Sequence, residues 1–113
     1  MNFKEYQEAA MKTAIYPNRG FNLVYPVLGL SGEAGEISEK VKKMIRDDKG
    51  VLSQERADAI KKELGDVLWY CAAVAYEIDT TLDEVAEINI AKLSARKEQN
   101  KLQGDGDDRE VKS

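Results

Sequence analysis

Residues 33–66 read EAGEISEKVKKMIRDDKGVLSQERADAIKKELGD, and this stretch predicts two helices that fold back on each other. It opens with Glu33 and Glu36 and closes with Glu63 and Asp66. Each pair is spaced i, i+3, which places both carboxylates on one face of a helix. Positions 33 and 66, like positions 36 and 63, are symmetric about a turn between residues 49 and 50. A fold-back at residues 47–50 therefore brings four carboxylates to the same height.

Four carboxylates in one place repel each other unless a cation neutralises them. Hard divalent ions such as Mg2+ take oxygen ligands of this kind, so the four acids predict a metal cage. The competing interpretation is solvated surface, because 21 of the 113 residues are acidic. Against it, Glu33 and Glu63 flank the apolar stripes of their helices. Each pair also contains a mid-helix glycine, Gly35 or Gly65, which costs about 1 kcal/mol relative to alanine and indicates a close helix crossing or space for a ligand.

Apolar periodicity and helix-end signals predict four helices and no strand. Asn2 caps a first helix over residues 3–15, which ends at the break over residues 16–20. A second helix begins between residues 21 and 26 and runs to residue 46, and Ser53 caps a third. A capping box at residues 81–84 opens the fourth, which fades between residues 96 and 99. We therefore expect an all-α four-helix bundle over residues 1–98 and a polar, disordered tail over residues 99–113.

Composition restricts the classes of function. A formal net charge of −4 argues against general binding to nucleic acid or membrane surfaces, and no apolar run approaches the ~20 residues that span a bilayer. The single cysteine excludes an intrachain disulfide and, with an N-terminus unlike a signal peptide, favours a cytoplasmic protein. The chain has no histidine, which excludes Ser-His-Asp and Cys-His catalysis and makes a carboxylate-bridged redox metal site improbable. Carboxylates, lysine, arginine, tyrosine and a metal remain for chemistry.

The segments GLSGEAGE at residues 29–36 and ELGDVLWY at residues 63–70, with the distance between them, resemble the paired motif of the MazG-type all-α nucleoside triphosphate pyrophosphohydrolases. The resemblance extends over roughly residues 3–97, and all four acids fit the pattern. It implies that the acids bind about two or three Mg2+ ions, which Mn2+ can replace, and that a nucleoside triphosphate is cleaved between its α and β phosphates. The products are the monophosphate and pyrophosphate. The same resemblance points to Glu36 as the general base and to a homodimer or homotetramer.

Two candidate substrate contacts lie close to the acids in the sequence. Lys40 follows Glu36 by four residues and is the lysine best placed to approach the cage. Tyr70 follows Asp66 by four residues and resembles a family position that contacts the substrate. Its neighbour Trp69 either stacks on a base or packs in a core or a subunit interface, and the sequence leaves these alternatives open.

Three further candidates lie on the fourth helix. Asn89 and Lys92 resemble the family's Asn-x-x-Lys signature, whose side chains reach phosphate or sugar. Arg96 follows at i+7 and shares their helix face, although a cation near a helix C-terminus also interacts favourably with the macrodipole.

The sequence therefore predicts a Mg2+-dependent hydrolase that cleans the nucleotide pool or controls dNTP levels. The alternative is a non-enzymatic helical regulatory or binding module, in which the acids form interhelical salt bridges with Lys40, Lys43, Lys61 and Lys62. The choice of nucleotide stays open, because dCTP, dUTP and a broad range of dNTPs all fit.

Overall fold

The computed structural model describes residues 1–99 and contains four helices in that range and no strand. They are α1 (Phe3–Lys12), α2 (Val24–Asp47), α3 (Gln54–Glu77) and α4 (Leu82–Glu98). The predicted all-α class is confirmed. Among these residues, no helix is both long enough and apolar enough to cross a membrane. The predicted tail lies outside the described residues from position 100 onward.

Side-chain caps set the helix starts that the sequence indicated. The Asn2 side chain accepts a hydrogen bond of 2.8 Å from the backbone N–H of Glu5, and the Ser53 hydroxyl accepts one of 3.1 Å from that of Arg56. The first helix ends at Lys12 and not at residue 15. The reason is Thr13, whose N–H and hydroxyl both turn back to the carbonyl oxygen of Ala10.

The helices α2 and α3 form the predicted helical hairpin. Their pairing is antiparallel, since Tyr70 lies against Gly29 at one end while Arg56 Nε lies 2.7 Å from Asp48 Oδ2 at the other. The turn between them contains Gly50 with a φ of +76°, a left-handed conformation that glycine adopts without steric cost. The fold-back at residues 47–50 is thus confirmed, and it brings the two acidic motifs onto facing helices.

The chain divides into two compact units, Met1–Leu82 and Asp83–Ser113. In the first unit a cluster of buried apolar side chains forms where α1 packs on α3, and its members are Ala10, Met11, Ala14, Tyr16, Ala72, Ala73, Ala75 and Leu82. Pro26 of α2 is also buried. The small alanine side chains allow close packing of the two helices. Further along α3, the apolar side chain of Leu64 is 57% exposed. Within this unit α3 has only α1 and α2 as helical neighbours, so part of its apolar stripe is uncovered.

Candidate functional site

Three of the four predicted metal ligands meet between α2 and α3. Glu33 projects from α2, Glu63 and Asp66 project from α3, and one carboxylate oxygen of each lies within 4.8 Å of the others. Glu33 and Glu63 are half-buried, whereas Asp66 is exposed. The i, i+3 spacing within α3 aims both of its acids at Glu33, as the sequence predicted. This group, Glu33, Glu63 and Asp66, is called the acidic triad below.

The electrostatics of the acidic triad favour a bound cation. A hydrogen bond with Glu63 raises the pKa of Glu33 above its ordinary value, and burial and the charges of Asp66, Glu63 and Glu36 raise it further. Three carboxylates at this spacing concentrate negative charge at one point, and each disfavours the ionised form of the others. A hard divalent cation relieves that repulsion. An all-oxygen donor set with mixed burial therefore fits Mg2+ or Mn2+.

Lys40 and Glu36 take different places from those that the symmetry of the motif indicated. Glu36 is exposed on α2 and lies outside the acidic triad. The Nζ of Lys40 lies 3.6 Å from Glu63 Oε1, with 27% and 21% of the two side chains exposed. Lys40 thus approaches the acids as predicted. It faces Glu63, and the symmetry of the motif had placed Glu36 in that position. The roles of Glu36 as ligand and base and of Lys40 as substrate contact stay predictions.

A cleft of about 340 Å³ opens beside the acidic triad. Its lining residues are Thr13, Glu33, Asp66, Trp69 and Tyr70. Burial raises the pKa of the Tyr70 phenol, and the nearby Tyr25, Glu33 and Asp66 raise it further. The structure therefore places Tyr70 with two of the acids at one cavity, and its contact with a substrate stays a prediction. Thr13 carried no sequence signal, since it reaches the cleft from the end of another helix.

Gly29 is the glycine whose missing side chain matters for this cleft. A Cβ atom added there would overlap the ring of Tyr70. The sequence had instead drawn attention to Gly35 and Gly65, where an added Cβ would meet no atom within 4 Å among the described residues. The close helix crossing considered for those two positions is therefore wrong, because both face open space. Space for a ligand at Gly35 and Gly65 stays a prediction.

Glu77 fixes the loop between α1 and α2, a role that no sequence motif indicated. Its carboxylate accepts hydrogen bonds from the Tyr16 hydroxyl at 2.6 Å, the Gly20 N–H at 2.7 Å and the Asn22 N–H at 2.6 Å. Burial raises the pKa of Glu77, but these three hydrogen bonds and the charge of Arg19 outweigh that effect and lower it. The loop that precedes α2 is thus anchored to the C-terminal end of α3.

The remaining candidates, Asn89, Lys92 and Arg96, all lie on α4. Because α4 is continuous from Leu82 to Glu98, their i, i+3, i+7 spacing places them on one helix face. Most of α4 belongs to the second unit. Their contact with a substrate stays a prediction.

Comparisons with known proteins agree with the acidic motifs. The chain matches the family model described as the MazG nucleotide pyrophosphohydrolase domain over residues 26–100, a range that includes all four predicted acids. It is 47% identical to the "Gene 37 protein" of Mycobacterium phage L5 over 114 residues, which cover 96% of this chain and 100% of that protein. No solved structure matches the chain.

Proposed function

The chain belongs to the MazG nucleotide pyrophosphohydrolase domain family, and from that premise we propose that it hydrolyses nucleoside and deoxynucleoside triphosphates to the monophosphate and pyrophosphate with Mg2+ as cofactor. The observation that carries the proposal is the acidic triad, whose oxygens lie within 4.8 Å of one another on two facing helices. Acids that only solvate a surface do not need to converge in this way, because convergence raises their mutual repulsion.

The acidic triad, with Glu36 beside it on α2, would hold about two or three Mg2+ ions. When bound, such ions neutralise phosphate oxygens and lower the pKa of a water molecule. A triphosphate carries about four negative charges, so the carboxylates repel it unless cations lie between them. Glu36 is exposed, outside the acidic triad, and in this proposal it accepts the proton of the attacking water. Lys40 neutralises part of the charge on Glu63, and in this proposal its ammonium group binds a phosphate oxygen of the substrate.

In this proposal Tyr70 contacts the substrate in the cleft. For Asn89, Lys92 and Arg96 on α4, the family resemblance alone supports contacts with phosphate and sugar. Arginine and lysine suit phosphate oxygens, and asparagine suits the hydroxyls of a sugar. The function is housecleaning of the nucleotide pool or control of dNTP levels, in the reducing cytoplasm that the single free cysteine favours.

We further propose that the chain forms a homodimer or homotetramer as an all-α four-helix assembly of the family type. The support is a set of exposed apolar side chains next to the α1–α2 loop, namely Ile15, Phe21, Val24 and Leu28, which are 66% to 95% exposed. Large apolar side chains that a single chain leaves exposed can be buried by association. Light scattering on the eluting protein checks this: the parent should elute as a dimer or tetramer, and Phe21→Glu should lower its mass. A monomeric parent would refute the assembly and leave the chemistry untouched.

The alternative function is a helical module in which the same acids are structural salt-bridge partners of lysines. Among the described residues one of the four lysines that it needs makes such an interhelical pair, Lys40 with Glu63. Lys61 pairs with Asp58 of its own helix at 3.9 Å. The alternative thus explains one contact and not the convergence of the acidic triad.

The deciding experiment is incubation of the pure protein with Mg2+ and a panel of NTPs and dNTPs, with pyrophosphate and orthophosphate measured separately. We expect monophosphate plus pyrophosphate, lost without Mg2+ and reduced at least about 100-fold in Glu63→Gln. The matched control is Glu39→Gln, an exposed acid on α2 that pairs with Lys42 at 3.0 Å and lies outside the acidic triad. Absence of turnover for every nucleotide, with the parent folded and loaded with Mg2+, would move the assignment to the binding module.

A further inference from the structure

The cleft beside the acidic triad is lined by two chemically different groups of side chains. Glu33 and Asp66 supply carboxylates, and Thr13, Trp69 and Tyr70 form what is called the aromatic corner below. A nucleotide combines an anionic phosphate chain with a planar aromatic base. The volume of the cleft, about 340 Å³, lies in the range of small-molecule sites.

Hydrogen bonds fix the indole of Trp69 within the aromatic corner. Its Nε1–H donates to the Thr13 hydroxyl oxygen at 2.8 Å, and that hydroxyl donates to the carbonyl oxygen of Ala10 at 2.7 Å. The indole meets the ring of Tyr70 edge-on, with centroids 5.1 Å apart and planes at 84°. Trp69 is half-buried, so part of its surface faces solvent. Because the polar hydrogens of Trp69 and Thr13 are already used, what Trp69 offers a ligand is ring surface. Tyr70 adds a second ring and a hydroxyl to the corner.

Gly29 leaves the space that the ring of Tyr70 occupies on α2. The absence of a side chain at this position lets the Tyr70 ring lie directly on α2, since an added Cβ would overlap three of its carbon atoms. Both rings are therefore held in place before any ligand binds, and a rigid aromatic surface loses little entropy on binding.

We propose that the aromatic corner binds the nucleobase of the substrate by stacking on Trp69, and that this contact contributes equally for purines and pyrimidines. The inference rests on the proposed function, because the nucleoside is placed by its phosphates at the acidic triad. Every base has a π-face, and stacking on an aromatic side chain depends little on base identity. Reading a base edge needs free donors or acceptors, and the indole N–H and the Thr13 hydroxyl proton are already hydrogen-bonded within the protein.

Trp69 is the one tryptophan of the chain, so intrinsic fluorescence reports on this corner directly. The full-length protein with Mg2+ is titrated with each of the four deoxynucleoside monophosphates, which bind without turnover, with inner-filter correction from free N-acetyltryptophanamide. We expect quenching by all four with apparent Kd values within about threefold, and none by deoxyribose 5-phosphate, which lacks a base. Quenching by one base alone would overturn the equal contribution, and no quenching by any would overturn the corner as base site.

Variants then separate this inference from the proposed function. Trp69→Leu should raise KM about 5- to 150-fold, and the factor should be the same for dATP and dCTP. Trp69→Phe should restore most of the affinity. Thr13→Val keeps the ring but removes its anchor and should fall between them. Phe3→Leu, at the far end of α1, is the matched aromatic control, and circular dichroism verifies folding. If the parent hydrolyses nucleotides and Trp69→Leu has an unchanged KM, the base site at the aromatic corner is refuted and the proposed function stands. If all four nucleotides quench the fluorescence and none is hydrolysed, the base site stands and the proposed function is refuted.

Discussion

Removal of the Glu77 carboxylate should release the α1–α2 loop and destabilise the protein in a graded way. Glu77→Ala deletes all three hydrogen bonds to Tyr16, Gly20 and Asn22. Glu77→Gln keeps one oxygen acceptor and sets an amide N–H2 against a backbone N–H, so it should lose one bond and add one mismatch. Tyr16→Phe removes one bond and keeps the stacking of its ring on Tyr25, whose centroid is 5.0 Å away.

The expected losses follow from the number of bonds removed. A hydrogen bond to a charged group contributes about 1.5–3 kcal/mol net, and we take about 1 kcal/mol per bond here because Glu77 is only half-buried and the freed groups can bind water. We expect about 2–4 kcal/mol for Glu77→Ala, about 1–2 kcal/mol for Glu77→Gln and about 1 kcal/mol for Tyr16→Phe. For a chain of this size, 1 kcal/mol corresponds to roughly 4–8 °C in Tm.

Urea unfolding at pH 7, followed by circular dichroism, measures the free energies of unfolding. The pKa of Glu77 is lowered in the folded state, so its contribution is fully present above its ordinary pKa near 4.5 and is lost as the pH falls through the folded value. The difference in stability between the parent and Glu77→Gln should therefore be constant from pH 6 to 8 and shrink below about pH 4. A Glu77→Ala variant within about 0.5 kcal/mol of the parent, or a parent-to-Glu77→Gln difference that grows as the pH falls below 4.5, would refute this reasoning.

Further predictions concern the helix interface and the acidic triad. Gly29→Ala should lose about 1–3 kcal/mol of unfolding free energy, because the new methyl group meets the Tyr70 ring. Gly35→Ala, in open space, should gain up to about 1 kcal/mol from helix propensity. Equal effects of the two substitutions in urea unfolding would contradict the packing of Tyr70 on Gly29. Mn2+ binding by calorimetry should weaken at least about tenfold in Glu33→Gln and stay unchanged in Glu39→Gln, and an unaffected Glu33→Gln would remove that residue from the ligand set. At ten times its Kd, Mg2+ should stabilise the parent by about 1.4 kcal/mol, seen as a rise in Tm that Glu33→Gln lacks.

The sequence predicted those features that depend on spacing within one segment. The i, i+3 acids and the turn at Gly50 were enough to place Glu33 against Glu63 and Asp66, because helix periodicity fixes the face and the hairpin fixes the height. The caps at Asn2 and Ser53 were likewise local.

Features that arise between distant segments were missed. Gly29 matters only because Tyr70, from another helix, lies on it, and Gly35 and Gly65 attracted attention through local cost alone. Glu77 has no motif around it, since its partners are backbone groups and a tyrosine more than fifty residues away. The end of α1 at Lys12 depends on the hydroxyl of Thr13, which bonds to the backbone of Ala10. Helix propensities of single residues do not include such a hydrogen bond.

The acidic residues of α3 and its two cleft-lining rings belong to one uninterrupted helix, with Asp66, Trp69 and Tyr70 within a single turn. A helix rises 1.5 Å and rotates about 100° per residue, so the number of intervening residues sets the positions of the Trp69 and Tyr70 rings relative to Asp66. One residue inserted after Asp66 would rotate both rings away from the cleft while the acids kept their places. A site built on loops absorbs such an insertion, but the face of α3 that lines this cleft does not, so its geometry can change by substitution in place and not by a change in length.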